Sequence, residues 1–167
     1  MRIGIGIAQG LAFGANLPMI GISTLQMMAQ GAVRSYDTER IVAAIDARMG
    51  EIYTAEFTRE PWGETHIATL VGEEKVIKPD LVEYTFDTEE TYEHYEVFGV
   101  GTGWGTYEQI LTEKVDAQRL IECDLPQAHD MLLLAEYALA NNLQVMAEDA
   151  QPVYVRDTVS WKKLPGK

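Results

Sequence analysis

The chain has 167 residues, enough to bury one sizeable core or two small lobes. Its 26 acidic against 13 basic residues give a formal net charge of -13, which argues against direct binding of a nucleic acid backbone, because that needs Lys and Arg gathered on one face. A single cysteine excludes an internal disulfide and a cysteine-based zinc site, and the lack of a long apolar run excludes a membrane span, so we expect a cytoplasmic protein.

Residues 2–15 admit two interpretations, a strand and a helix. Three isoleucines alternate as in a strand, whereas three glycines recur every four residues and would align on one helix face. These residues are Ile3, Ile5 and Ile7, and Gly6, Gly10 and Gly14. We favour the helix. Because each internal glycine costs about 1 kcal/mol relative to alanine, its bare face must pack closely against something, and another subunit would serve.

The next segments predict α/β layering. A buried strand at 19–22 is followed by a helix at 25–32, for which Ser23 is the expected N-cap. A polar stretch then separates two predicted units. The first is a remnant lobe of helix, strand and helix at 1–38, and the second is a lobe at 39–167.

The second unit is predicted to open with an antiparallel hairpin. Two apolar runs, 41–46 and 51–57, are joined by a short turn in which Gly50 supplies the left-handed conformation. A third strand is expected at 65–71. A short helix with proline in its first turn is expected at 79–86.

The remaining elements alternate between strand and helix. An acidic, solvated stretch over 73–96 precedes a strand at 97–100, a helix at 107–114 and a strand at 119–122. The strongest helical pattern spans 127–143. Its expected apolar face consists of Met131, Leu134, Ala135, Ala138 and Leu139.

One glycine-rich turn, at 99–103, lies between a strand and a helix. Backbone N–H groups in such a turn can cradle phosphate, but the third glycine of the dinucleotide fingerprint and the Gly-Lys-Ser/Thr of a triphosphate loop are missing. We therefore interpret it as a tight turn.

The other candidate catalytic residues are isolated. Asp46, near Arg48, could be a general base or metal ligand, but a turn cap paired with the arginine explains it better. Cys123 is expected to be buried rather than nucleophilic. The three histidines lack neighbours at metal-ligand spacing and are expected at the surface. They are His66, His94 and His129.

The tail at 151–167 is the only locally basic part of the chain, and two interpretations stay open. It is either a strand packed by Val153 and Val155, or a partner-contact arm anchored by Arg156 and Trp161, which are residue types favoured at interfaces.

Five stretches carry a resemblance that covers nearly the whole chain. They are RIGIGIAQGLA at 2–12, PMIGISTL at 18–25, AAIDARMGEIY at 43–53, VGTGW at 100–104, and PVYVR with WKKLPGK within 152–167. Together they resemble the bacterial TsaB family, also called YeaZ. The match is loose over 58–96 and 114–125.

The resemblance implies an actin/Hsp70-like ATPase fold in which each of two lobes carries a ribonuclease-H-like sheet. Family members have a first strand region, a long helix and the motif Gly-Pro-Gly-Ser-Phe-Thr-Gly-Val ahead of Arg-Ile-Gly-Ile, and here Met1 stands at that Val. It therefore implies a complete second lobe and a truncated first lobe, through a shortened gene product, a misplaced start codon or a true deletion.

The resemblance also implies a scaffold without independent catalysis. Such a subunit pairs with TsaD, which transfers threonylcarbamoyl to adenosine in tRNAs that read codons beginning with A, and TsaE, an ATPase, joins the complex. ATP would act at these partners, tRNA would be met only indirectly, and no cofactor or metal is expected on this chain. Without TsaD, a homodimer is implied.

In the family, helices of the first lobe mediate both self-pairing and pairing with TsaD, and residues 2–15 match one of them. The expected interface residues are Ile3, Gly6, Ile7, Gly10 and Gly14. The alternative is an ATP- or metal-dependent hydrolase of the actin-like or former glycoprotease type. That function would require a phosphate loop and converging carboxylates or histidines, neither of which the sequence displays.

Overall fold

The computed structural model describes residues 2–87 and 96–156, which form one mixed sheet with four helices. The helices are α1 (Arg2–Ala15), α2 (Thr24–Tyr36), α3 (Thr102–Lys114) and α4 (Ala128–Ala140). The strands are β1 (Arg40–Arg48), β2 (Glu51–Trp62), β3 (Thr65–Ile77), β4 (Val97–Val100) and β5 (Ala117–Arg119). Their spatial order is β3-β2-β1-β4-β5, with β1, β2 and β3 antiparallel and with β4 and β5 parallel to β1.

The central strand β1 is covered on both faces. Ile41 and Ala43 point into a core cluster shared with α2, whereas Val42 and Ala44 point into a second cluster shared with α3. All four side chains are fully buried, which explains a continuous apolar run where a half-exposed strand would alternate.

The predicted hairpin is confirmed, and its turn needs more than the expected glycine. Arg48, Met49 and Gly50 all have positive φ, at 61°, 58° and 76°. The backbone N–H of Arg48 donates to Oδ1 of Asp46 at 2.9 Å, so the aspartate caps the turn as expected, but the expected pairing with the Arg48 side chain is not among the ion pairs of the described residues.

Two predicted elements are wrong. The segment at 19–22 is not a strand, and its only ladder contact in the described chain is an isolated antiparallel bridge between Met19 and Val145. The helix predicted at 79–86 is instead a pair of 3-10 turns, Pro79–Leu81 and Thr85–Asp87.

A buried carboxylate explains why no helix forms at 79–86. Oε1 of Glu56 accepts bonds from the backbone N–H groups of Thr85 and Phe86, at 2.8 and 3.0 Å, and from the Thr85 hydroxyl at 3.0 Å. Val82 and Tyr84, two residues apart, both enter the core from the extended chain between the two turns.

Other boundaries move. β3 extends to Ile77, α3 begins at Thr102 because the glycine turn forms its first turn, and the strand predicted at 119–122 is β5, Ala117–Arg119.

The predicted α4 face is only partly right. Leu134 and Ala138 are buried, whereas Met131 and Leu139 are exposed.

The lobe boundary at residues 38 and 39 stays a prediction. On its N-terminal side, α2 starts at the confirmed N-cap Ser23, whose Oγ accepts from the backbone N–H groups of Leu25 and Gln26. On its other side lies the sheet against which α2 packs. Within the described ranges, no helix is long and apolar enough to cross a membrane.

Candidate partner interface

Helix α1, the predicted interface, leaves most of its surface uncovered by the described chain. The exposed fractions of its large apolar side chains, and of Leu17 just beyond it, are 81% for Ile3, 60% for Ile7, 71% for Leu11, 69% for Phe13 and 57% for Leu17. A run of apolar side chains this exposed is typical of a surface that binds another protein.

The glycines of α1 touch nothing outside their own helix. A Cβ atom added to Gly6, Gly10 or Gly14 would meet no described heavy atom within 4 Å beyond the helix backbone. With a spacing of four, these glycines form a shallow track, flanked by Phe13 on one side and by Ile3 and its neighbours on the other. All five predicted interface residues therefore lie on this exposed surface. It is here called the α1 face and consists of Ile3, Gly6, Ile7, Gly10, Leu11, Phe13 and Gly14.

The opposite side of α1 is joined to the rest of the chain. Ile5, Gln9 and Ala12 are partly covered, and the helix ends at Ala15, after which Asn16 has a φ of 53°, in the left-handed region. The N–H of Leu17 donates to the carbonyl of Ala12 at 2.9 Å, which completes a Schellman cap. The helix end is thus satisfied without covering the α1 face.

The glycine turn that was a candidate phosphate cradle is filled by the protein itself. A Cβ on Gly99 would lie 2.4 Å from the ring of Trp104, and one on Gly101 would lie 2.4 Å from the carbonyl oxygen of Ala44. The Trp104 indole is fully buried and donates to the carbonyl of Val42 at 3.0 Å. Close packing accounts for these glycines, in agreement with the tight-turn interpretation.

Cys123 lies buried beside the ion pair of Arg34 and Asp130. Burial raises the pKa of its thiol to about 11, so it stays protonated and non-nucleophilic at neutral pH. His129 is exposed, His66 is half-buried, and His94 lies outside the described residues. The described ranges contain no group of three or more His, Cys, Asp and Glu able to hold a metal ion.

The ion pair between α2 and α4 was missed by the sequence analysis. Nε of Arg34 donates to Oδ1 of Asp130 at 2.6 Å, the Asp130 side chain is 1% exposed, and this hydrogen bond raises the pKa of Arg34. The pair borders cavities of about 180 and 430 Å³. Nothing local signals it, because the partners are 96 residues apart.

In the tail, Arg156 is engaged within the chain. Its guanidinium donates to Oε2 of Glu51 at 2.5 Å and to the carbonyl of Ala47 at 3.3 Å, and lies 5.7 Å from the ring centroid of Tyr53. The described part of the tail contains no strand, and Val153 is exposed. Trp161 lies outside the described residues, so a contact by the tail stays a prediction.

Comparisons with known proteins give consistent matches. A family model described as "TsaD: tRNA N6-adenosine threonylcarbamoyltransferase" matches residues 1–164. Curated proteins named "tRNA threonylcarbamoyladenosine biosynthesis protein TsaB" are 48% identical in Escherichia coli (strain K12) and 39% identical in Haemophilus influenzae (strain Rd). Each match covers the whole of this chain and 69% of the relative.

Two solved structures from Pseudomonas aeruginosa superpose with a TM-score of 0.78. One, described as similar to peptidase YEAZ, is 39% identical, and the match covers 93% of this chain and 67% of that chain. The other, YeaZ, is 38% identical, with coverages of 92% and 67%. With the family model, these neighbours confirm the predicted α/β fold of the actin-like ATPase type.

Proposed function

Since the chain belongs to the TsaB family, we propose that it takes part in threonylcarbamoyladenosine biosynthesis as a non-catalytic subunit that pairs with TsaD. The observation that carries the pairing is the exposed α1 face. TsaE would join the complex, and the chain would pair with a second copy of itself when TsaD is absent. The modified tRNAs would be those that read codons beginning with A.

The composition of the α1 face supports binding of a protein partner. Four of its apolar side chains, at positions 3, 7, 11 and 13, are at least 60% exposed, and burying each of them would contribute about 1.5–3 kcal/mol to association. The glycine track lets a partner helix approach closely, because no Cβ holds the backbones apart.

The polar groups of the chain support a scaffold rather than a catalyst. Asp46 holds a turn, the thiol of Cys123 is protonated, and the glycine turn near Trp104 is filled by the indole ring and by the backbone of Ala44. A chain of net charge -13 also repels phosphate, so tRNA would be held by the partner. ATP would likewise act at the partner subunits.

A matched pair of substitutions tests the α1 face. Leu11→Asp places a charge on the face, whereas Leu132→Asp makes the same change on α4, where the leucine is similarly exposed, at 66% against 71%. We expect Leu11→Asp to weaken binding of purified TsaD about 10- to 100-fold in calorimetry, because a desolvated carboxylate would replace a buried leucine. Leu132→Asp should leave the affinity unchanged.

Three results would count against the proposal. If the two variants lose TsaD affinity equally, or if neither loses any, the α1 face is not the specific TsaD site. Threonylcarbamoyl transfer to tRNA by the isolated chain would overturn the non-catalytic role, and this assay matters because the matching family model bears the name of the transferase. Circular dichroism checks that both variants stay folded.

A further inference from the structure

Helix α1 is held to the body of the protein by a short segment near the C-terminus. Nε2 of Gln9 donates to the carbonyls of Ala147 and Ala150, at 2.6 and 3.2 Å. Among the described residues, these are the side-chain hydrogen bonds that α1 makes to the body. The same segment pairs with the linker after α1, where Met19 and Val145 exchange backbone bonds of 2.8 and 2.9 Å.

The other end of this segment is fixed to the β1–β2 turn. Arg156 binds the carboxylate of Glu51 and the carbonyl of Ala47, and its guanidinium lies over the ring of Tyr53. Its side chain is only 17% exposed. Residues 145–156, here called the strap, therefore connect α1 at one end with the sheet at the other.

We propose that the strap positions α1, so that binding of a partner through the α1 face depends on Arg156, which lies outside that face, and on Gln9, whose amide binds the strap. This inference rests on the proposed function. The Gln9 amide is directed to the carbonyls of Ala147 and Ala150, although its spacing from Gly6 and Phe13 places Gln9 at the border of the α1 face. Arg156 makes its described contacts with the β1–β2 hairpin.

Energetics favour this role because the other restraints on α1 are few: the Met19–Val145 pairing beyond its end and the partly covered side chains Ile5 and Ala12. Its large apolar side chains are mostly in water, so packing contributes weakly to its position. Two hydrogen bonds from one amide are then a large share of what orders the helix, and Arg156 keeps their acceptor carbonyls in place. A helix that is already ordered before binding loses less conformational entropy on association.

The test uses substitutions that remove the donor and keep an unbranched side chain, of equal length at Gln9 and shorter at Arg156. Gln9→Met and Arg156→Met are measured by hydrogen exchange of the isolated full chain and by calorimetry with purified TsaD. We expect both to speed exchange of α1 amides, and to weaken TsaD binding, by about 5- to 30-fold, with the β1 amides unchanged. Arg156→Lys, which keeps a cation opposite Glu51, should recover part of both effects.

Gln109→Met, on the exposed surface of α3, is the matched control and should change neither quantity. The decisive variant is Arg156→Met, because Arg156 makes no described contact with α1. Unchanged α1 exchange in this variant would overturn the inference. The double variant gives a second check. If the strap acts as one unit, releasing it at either end has most of the effect, so losses of TsaD affinity that simply add in the double variant would also overturn the inference.

The outcomes separate this inference from the proposed function. If Leu11→Asp weakens TsaD binding but Gln9→Met and Arg156→Met do not, the strap has no positioning role and the α1 face remains the interface. If Leu11→Asp also has no effect, both proposals fail.

Discussion

At the scale of single residues, the glycines of this chain have two different explanations. Gly99 is required by contact, because a side chain there would overlap the buried indole of Trp104. Gly10, on α1, is required by nothing in the described chain. The first kind of glycine serves the fold, and the second kind is free to serve a partner.

A pair of alanine substitutions compares a tightly packed glycine, Gly99, with an open one outside the helices, Gly21. Gly99→Ala should lower the free energy of unfolding by about 1–3 kcal/mol or more, because its Cβ would lie 2.4 Å from a ring that cannot move away. Gly21→Ala, with no described heavy atom within 4 Å of its Cβ, should stay within about 0.5 kcal/mol of the parent. Urea unfolding gives both values, and equal effects would contradict the packing explanation.

At the scale of elements, α2 protects the open edge of the sheet. Oε1 of the buried Gln30 accepts from the N–H of Ala68 at 2.8 Å, and its Nε2 donates to the carbonyl of His66 at 3.1 Å. Gln26 donates to the carbonyl of Ala68 at 2.9 Å. Side-chain amides thus replace the next strand at residues 66–68 of β3, which blocks pairing with another chain at that part of the edge.

Gln30→Leu tests this protection. We expect a loss of about 1–3 kcal/mol in unfolding free energy, because a buried donor and a buried acceptor on β3 lose their partners. Gln26→Leu, at a half-buried position with one bond to β3, should cost less. Hydrogen exchange should locate the added exposure at residue 68, and an unchanged amide there would show that the glutamine does not protect the edge.

At the scale of the whole molecule, charge and the α1 face act in opposite directions. The chain carries a net charge of -13, which opposes association of two copies. The helix itself has no acidic residue in its first turn and no basic residue in its last. The electrostatic repulsion between two copies therefore comes from charges outside the ends of α1, whereas the attraction at the α1 face comes from apolar side chains.

This division predicts the salt dependence of self-association. Raising NaCl from 0.05 to 0.5 M should strengthen the homodimer several-fold in sedimentation equilibrium, because the ions screen the repulsion and leave apolar burial intact. Leu11→Asp should remove the dimer at both concentrations, with Leu132→Asp as its control. Weaker association at high salt would indicate an ionic interface instead.

Local patterns predicted α1, the cap at Ser23, the hairpin and β4, because periodicity, capping and turn chemistry lie within a few residues of one another. The helix expected at 79–86 failed because its backbone bonds with Glu56, about thirty residues earlier in the chain. The glycine track of α1 was also visible in advance, since its spacing is a property of the helix alone, but its exposure was not.

Amino-acid order alone establishes the acidic character of the molecule, the glycine spacing of α1 and the family resemblance. The folded structure is needed to show which glycines are filled and which side chains hold helix α1. Trp104 meets Val42 across 62 residues, and Gln9 meets Ala147 across 138. Contacts between such distant positions depend on how the chain closes on itself, and no local pattern records that.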